Sequence, residues 1–131
     1  MENGTLALVI DDSRAMRSIL RRTLTPLGFE VLEAGHGREA LDVLEAGHHP
    51  AVCLVDWNMP VMDGYEFITT VRAHAEWRDI TLMMVTTESE HSQIVKALAA
   101  GAHEYVLKPF TADAIADKLS LLGLLPEGAQ V

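Results

Sequence analysis

Five short apolar runs, separated by segments with helical spacing, constrain the fold of this chain more than any other feature of its sequence. Each run has the length of a β-strand, and several lack the alternation of apolar and polar residues that marks a strand with one face in water. Strands that are apolar on both faces are typical of a parallel sheet covered by helices on both sides. The runs lie at residues 6–10, 30–34, 51–55, 80–85 and 104–107.

The segments between and after these runs predict helices. In each segment apolar side chains recur at intervals of three or four residues, as they do on the buried face of a helix. The apolar positions are Met16, Ile19, Leu20 and Leu24; Ala40, Leu41 and Leu44; Phe67, Ile68 and Val71; Ile94, Val95 and Leu98; and Ile115, Leu119 and Leu122. Five strands that alternate with five helices predict an α/β fold, a doubly wound (βα)5 three-layer sandwich around one parallel five-stranded sheet.

Two boundaries carry helix-start signals. The stretches Asp63-Gly64-Tyr65-Glu66 and Thr87-Glu88-Ser89-Glu90 each place an acid three residues after a capping side chain. An acid in this position can hydrogen-bond back to the backbone of the capping residue. We therefore expect one helix to begin after Asp63 and another after Thr87.

Length, charge and cysteine content narrow the class of protein. With 131 residues we predict one domain over 1–131, with its core at about 5–122 and a short tail at 123–131. The formal charge of −9 argues against a nucleic-acid binder, because the phosphate backbone would repel it. The one cysteine, Cys53, lies inside an apolar run and is expected in the core. No leader pattern or bilayer-length apolar stretch occurs, so we expect a cytoplasmic protein without membrane contact.

Carboxylates follow two of the predicted strands. Asp11 and Asp12 end the first apolar run, and Asp56 ends the third. The carboxyl ends of parallel strands gather at one edge of the sheet, so these acids should meet in one crevice if their strands are neighbours. Carboxylates so close together would raise the pKa of at least one of them unless a cation neutralised their charge. An all-oxygen ligand set suits Mg²⁺ better than Zn²⁺, which prefers histidine and cysteine.

Two further polar residues follow strands at the same edge. Thr86 comes after the fourth apolar run, and Lys108 comes after the fifth. An acid pair, a lone acid, a hydroxyl and an ammonium group supply a metal site, a nucleophile, a hydrogen-bond donor and a positive charge. These are the parts that phosphoryl transfer needs, because its catalysis consists mainly of positioning and charge stabilisation.

In their order and spacing, Asp11-Asp12, Asp56, Thr86 and Lys108-Pro109 resemble the receiver domain of bacterial response regulators, and the resemblance covers residues 5–122. The stretch from Asp56 to Gly64 is most similar to the stand-alone regulators of chemotaxis. The resemblance implies a flavodoxin-like fold with strand order 2-1-3-4-5. It also makes the Lys108-Pro109 bond a candidate cis peptide.

The resemblance implies a role for each site residue. Asp56 would accept a phosphoryl group and become an aspartyl phosphate. Asp12, Asp56 and the backbone carbonyl of Asn58 would hold Mg²⁺, with Asp11 in support. Lys108 would pair with the phosphoryl group.

The resemblance also implies a switch. Thr86 would donate its hydroxyl to the phosphoryl group, and Tyr105 would turn into the space that Thr86 leaves. Asn58 and Glu88 occupy the two positions that tune hydrolysis of the acyl phosphate in this family, and we expect a short-lived signal.

Partners follow from the same resemblance. A histidine kinase or phosphotransfer protein would donate the phosphoryl group, and a target protein would bind the surface of the fourth helix, fifth strand and fifth helix. We expect a monomer that catalyses nothing beyond its own phosphorylation and dephosphorylation.

Several alternatives remain open from the sequence. Asp11 and Asp12 are suited to cap the first helix. The helically spaced Arg14, Arg17 and Arg21 form either a solvated face or a docking stripe for an acidic kinase. The chain is either a stand-alone regulator or the receiver part of a longer one. An Mg²⁺-dependent phosphatase with an aspartyl nucleophile and a flavodoxin-like electron carrier share parts of the pattern.

Overall fold

The computed structural model describes residues 5–87 and 91–125, which form five strands and five helices that alternate along the chain. The strands are β1 (Thr5–Ile10), β2 (Phe29–Ala34), β3 (Val52–Val55), β4 (Thr81–Thr87) and β5 (Glu104–Lys108). The helices are α1 (Arg14–Leu24), α2 (Gly37–Glu45), α3 (Gly64–Ala73), α4 (His91–Ala100) and α5 (Ala112–Leu121). Short 3₁₀ turns at Thr25–Leu27 and Ala75–Trp77 follow α1 and α3.

All strand pairs in the sheet are parallel, and the strand order is β2-β1-β3-β4-β5. The predicted α/β class, alternation and order 2-1-3-4-5 are therefore confirmed. The chain winds from β1 outward to β2, then crosses back to β3 on the other side of β1. This reversal leaves a crevice at the carboxyl ends of β1 and β3, where open parallel sheets bind ligands.

Two apolar layers cover the sheet, because successive strand residues point to opposite faces. Leu8 and Ile10 of β1 pack with α2, α3 and α4, whereas Ala7 and Val9 pack with α1 and α5. Cys53 is fully buried in the first layer, as its apolar run predicts. None of the helices in the described ranges has the length and apolar character needed to cross a membrane.

The predicted start of α3 at Asp63 is confirmed. The Asp63 carboxylate accepts the Glu66 backbone N–H at 2.9 Å, and the Glu66 side chain accepts the Asp63 N–H at 3.1 Å. The prediction for Thr87 to Glu90 falls partly on residues 88–90, which lie outside the described residues, while Thr87 itself ends β4.

Candidate functional site

Asp11, Asp12 and Asp56 meet at the carboxyl edge of the sheet because β1 and β3 are neighbours. Ile10 pairs with Val55 in the register, and the Asp56 N–H donates to the Ile10 carbonyl at 2.9 Å. One carboxylate oxygen from each acid lies within 4.8 Å of the others. The three carboxylates are therefore close enough to share one cation.

Asp11 is 1% exposed, and the structure shows how so buried a carboxylate is tolerated. Its N–H donates to the Ala34 carbonyl at 3.1 Å, and its own carbonyl accepts the Arg17 guanidinium at 2.7 Å. One carboxylate oxygen accepts the Ser13 N–H at 2.8 Å, and the other accepts Lys108 at 3.1 Å. Every polar group of Asp11 has a partner, which offsets the cost of its burial.

Ser13, rather than the acid pair, caps α1. The Ser13 hydroxyl accepts the Met16 N–H at 3.1 Å, and α1 begins at the next residue, Arg14. Asp12 is exposed and points its carboxylate within reach of the other two acids. Helix capping therefore does not explain the pair.

Lys108 reaches the crevice from the far side of β4. It ends β5, and its ammonium lies 3.1 Å from Asp11 Oδ2 and 3.3 Å from Asp56 Oδ1. Burial alone would lower the pKa of Lys108, but Asp56 and Asp11 outweigh it and raise that pKa. Lys108 therefore stays protonated. Its bond to Pro109 is cis, as predicted.

The pKa of the Asp56 carboxyl group is raised in the crevice. Burial raises its pKa to about 6, and the charges of Asp11 and Asp12 add to the effect while Lys108 opposes it. One ammonium thus does not neutralise three carboxylates. Burial is the largest cause of the raised pKa, the crowded acids contribute to it as expected, and a divalent cation would offset their charge.

The donor set fits Mg²⁺ rather than a softer metal. Asp11, Asp12 and Asp56 offer only oxygen, and theirs is the one acid, histidine or cysteine cluster of metal-binding size in the described ranges. Asn58 lies two residues beyond Asp56, exposed in the loop that leads to α3. The carbonyl of Asn58 is thus in the segment that borders the acids.

A glycine lets α3 begin directly against the lone acid. The Gly64 N–H donates to the Trp57 carbonyl at 2.9 Å, and a Cβ atom on Gly64 would collide with the Asp56 carbonyl oxygen. The first turn of α3 therefore packs directly against the backbone of Asp56 and Trp57.

Thr86 and Tyr105 lie on one face of the sheet. Val55 pairs with Met84, so Thr86 stands one residue beyond the level of Asp56 on the neighbouring strand. Side chains alternate along β4, so Thr86 points to the same face of the sheet as Met84. Tyr105 packs against the apolar cluster on that face. Thr86 is 4% exposed, and Tyr105 is partly buried with the Lys118 ammonium 5.2 Å from its ring centroid.

Glu88, the other residue expected to tune hydrolysis, lies outside the described residues.

The structure gives the arginines of α1 a role that the sequence did not predict. Arg17 and Arg21 bind one carboxylate oxygen each of Glu33 on β2, at 3.0 and 2.7 Å, so this part of the row is neither a free docking stripe nor a purely solvated face. Arg14 and Arg22 are exposed. Of the two acids in β2, Glu33 is the one that meets this helix, and the sequence does not show that pairing until both elements are placed.

The family described as the response regulator receiver domain matches residues 7–120. The chemotaxis protein CheY homolog of Campylobacter jejuni subsp. jejuni (strain 81-176) is 46% identical over 113 residues, which are 86% of this chain and 87% of that protein. Chemotaxis protein CheY1 of Helicobacter pylori (strain ATCC 700392 / 26695) is 42% identical over 116 residues, 88% of this chain and 94% of that protein.

Among solved structures, chemotaxis protein CheY4 of Vibrio cholerae superposes with a TM-score of 0.84 at 33% identity. The superposition covers 91% of this chain and 98% of that one. The likeness therefore extends across the whole sheet and its helices.

Proposed function

The chain belongs to the response regulator receiver domain family and is a response regulator of a two-component system, and on that premise we propose that it transmits its signal by accepting a phosphoryl group on Asp56. The observation that carries this proposal is the placement of Asp56. Its carboxylate is 12% exposed, lies 3.3 Å from the Lys108 ammonium and shares the crevice with Asp11 and Asp12.

Asp56 acts as the nucleophile. A carboxylate oxygen attacks the phosphorus of a phosphohistidine on the donor, and the new P–O bond forms as the P–N bond breaks. The electron pair of the broken bond leaves with the imidazole nitrogen. A pKa of about 6 leaves most of Asp56 ionised at pH 7, as attack requires. Lys108, held protonated beside it, offsets negative charge on the phosphoryl oxygens.

Asp12, Asp56 and the Asn58 carbonyl would hold Mg²⁺, with Asp11 supporting them. The ion would neutralise the carboxylate charge and stabilise the charge that develops on the phosphoryl oxygens. The clustered carboxylate oxygens and the raised pKa of Asp56 support this assignment.

Reversal of the signal needs water in the same crevice. Attack of water on phosphorus returns the Asp56 carboxylate and releases phosphate. Asn58 and Glu88 tune this step in our proposal. The protein catalyses only its own phosphorylation and dephosphorylation.

Thr86 and Tyr105 form the switch. The Thr86 hydroxyl donates to the phosphoryl group, and Tyr105 turns into the space that Thr86 leaves. Their common face of the sheet and their adjacent strands support the pairing. The surface of α4, β5 and α5 changes as a result, and a target that prefers the changed surface binds with a coupling of typically about 1–3 kcal/mol.

Receiver domains act with histidine kinases and other protein targets. We propose a histidine kinase or phosphotransfer protein as donor, and a target on the surface of α4, β5 and α5. Val95, Leu98 and Leu107 are exposed apolar residues on these elements, which supports a protein partner. The names of the relatives support chemotaxis as the process. We further propose that the protein is monomeric and cytoplasmic.

Intact-protein mass spectrometry after incubation with acetyl phosphate tests the chemistry. We expect a phosphoryl adduct that requires Mg²⁺ and is absent from Asp56→Asn. Asp42→Asn, which alters an exposed acid on α2, is the matched control and should still be labelled. An adduct on Asp56→Asn would contradict the assignment.

A second experiment tests the switch. We expect the NMR signals of the Tyr105 ring to move on phosphorylation, and to stay in place in Thr86→Ala even though that variant is still phosphorylated. An unchanged Tyr105 response in Thr86→Ala would separate the two residues and remove the proposed switch.

A further inference from the structure

Arg17 joins the first helix to the backbone of the acid pair. Its Nη1 donates to the Asp11 carbonyl at 2.7 Å, and its Nε donates to Glu33 Oε1 at 3.0 Å. The side chain is 18% exposed, so these bonds are partly shielded from water. One planar guanidinium thus connects β2 with the loop that follows β1.

The acceptor of the first bond is the important detail. The Asp11 carbonyl belongs to the peptide group that joins Asp11 to Asp12, so a hydrogen bond to it limits rotation of that peptide. The Asp11 side chain is already fixed by Ser13 and Lys108, whereas Asp12 is exposed. Restraint of the peptide therefore acts mainly on the direction of the Asp12 carboxylate.

We propose that Arg17 is a positioning residue for the Mg²⁺ site, which acts through the Asp11 carbonyl and is itself held by Glu33. The inference rests on the proposed Mg²⁺ site. Arg17 touches neither the metal nor the phosphoryl group. Partners of this kind, which orient the ligands, typically change metal affinity by about 10- to 100-fold when they are removed.

Arg21 provides a matched control on the same helix. It binds the other oxygen of the same Glu33 carboxylate at 2.7 Å, and among the described residues this is the one hydrogen bond of its guanidinium. Arg17→Lys and Arg21→Lys both keep the charge and both disturb one bond to Glu33. Lysine has no planar fork, so Arg17→Lys cannot reproduce the pair of bonds to Glu33 and the Asp11 carbonyl.

Mg²⁺ titrations followed by tryptophan fluorescence, to which Trp57 beside Asp56 contributes, measure the affinity. We expect the dissociation constant of Arg17→Lys to rise about tenfold and that of Arg21→Lys to stay within about twofold of the unaltered protein. Equal affinities for Arg17→Lys and the unaltered protein would overturn the proposal.

Arg17→Gln separates positioning from simple charge effects. Removal of a cation near a metal site should strengthen Mg²⁺ binding if charge alone matters. Loss of positioning should weaken it. We expect weaker binding in Arg17→Gln, and tighter binding would overturn the proposal.

NMR spectra of the metal-free proteins keep this inference distinct from the Mg²⁺ assignment. Arg17→Lys should shift the backbone amides of Asp12 and Ser13, and Arg21→Lys should leave them in place. Unchanged amides in Arg17→Lys would overturn the positioning role, whereas shifted amides in a protein that binds no Mg²⁺ would overturn only its link to the metal.

The unaltered protein supplies a test that does not depend on a variant folding. The side-chain nitrogen signals of Arg17 should shift when Mg²⁺ is added, because the peptide that Arg17 holds carries a metal ligand. Those of Arg21 should not shift. No response of Arg17 at saturating Mg²⁺ would overturn the proposal.

Discussion

The carboxylate of Asp56 is held in a place that a charge would ordinarily avoid. It follows four fully buried residues of β3 and faces two other acids with one ammonium between them. Burial above all, and the charges of Asp11 and Asp12 after it, raise the pKa of Asp56 to about 6. The same crowding favours a cation in the crevice, so the destabilising arrangement and the proposed function have one origin.

Replacement of Asp56 by asparagine should therefore stabilise the metal-free protein at neutral pH. The folded protein holds the Asp56 proton between about pH 4 and pH 6, where the unfolded chain has lost it, so stability falls as pH rises through this window. Above it the full penalty applies. After allowance for solvent screening, Asp56→Asn should gain about 1–2 kcal/mol in free energy of unfolding at pH 7.

Urea unfolding in the presence of a chelator, repeated from pH 4 to pH 8, measures this difference. The two proteins should converge towards pH 4 and separate as pH rises to about 6. A constant gap across the whole range would mean that ionisation of Asp56 is not its cause.

The first turn of α3 packs closely against the crevice. Gly64 lies so close to the Asp56 carbonyl that a side chain there must push the strand end or the helix aside. We expect Gly64→Ala to lower the free energy of unfolding by about 1–3 kcal/mol, as overpacking does, and to weaken Mg²⁺ binding. Calorimetric unfolding and Mg²⁺ titration check the two effects.

Gly35→Ala is the control for this prediction. A Cβ atom on Gly35 would come nearest to the end of the Glu39 side chain, at 3.3 Å, and that side chain can move. A loss of stability in Gly35→Ala as large as in Gly64→Ala would remove the argument from close approach.

At the amino ends of the strands, His103 in the loop before β5 contacts both β4 and α3. His103 Nδ1 lies 3.2 Å from the Leu82 backbone N–H, which can only donate, and 3.2 Å from Arg72 of α3. Nδ1 must therefore be unprotonated. Partial burial, together with the charge of Arg72, lowers the pKa of His103.

This arrangement predicts a loss of stability in acid. The unfolded chain takes up the His103 proton near pH 6.5 while the folded protein resists it, so stability falls as pH drops below that value. His103→Asn keeps an acceptor near the position of Nδ1 and removes the titration. Thermal unfolding should show similar stability near pH 8, with a smaller loss for the variant at pH 5.5. Parallel losses would assign the acid sensitivity to other groups.

Features that depend on the residues of a single element could be predicted from the sequence. The strand runs, the Asp63 cap and the acids that end β1 and β3 are local patterns, and sheet geometry brings the acids together. The contacts of Arg17 with Glu33 and of His103 with Leu82 join residues 16 and 21 positions apart. They depend on how a helix or loop lies against a strand, which periodicity does not fix. Sheet geometry also predicted Lys108 at this edge, but its bond to Asp11 across β4 was not predicted.

One sheet runs from the crevice to the surface of α4, β5 and α5. β4 borders β3 on one side and β5 on the other, so in the proposed switch a change at Thr86 would reach the proposed partner surface through a single strand. The coupling therefore needs no movement of separate domains. It requires only a local change whose two states a partner can distinguish.

Ligand binding should also be visible in the stability of the whole molecule. A ligand that binds only the folded state stabilises it by RT ln(1 + [L]/Kd), which is about 1.4 kcal/mol at ten times the dissociation constant. We expect Mg²⁺ to raise the melting temperature of the unaltered protein and to have little effect on Asp12→Ala. Chelator-treated samples of both proteins, without added Mg²⁺, provide the baseline. Equal stabilisation of Asp12→Ala would place the ion elsewhere.

The most direct test is to locate the phosphoryl group after transfer from a phosphodonor in the presence of Mg²⁺. Borohydride reduces an aspartyl phosphate to homoserine, so peptide mass spectrometry of the reduced protein identifies the residue that carried it. We predict homoserine at position 56 and at no other acid. An unreduced Asp56 in a sample whose intact mass shows a phosphoryl adduct, or no adduct with an active donor, would contradict it.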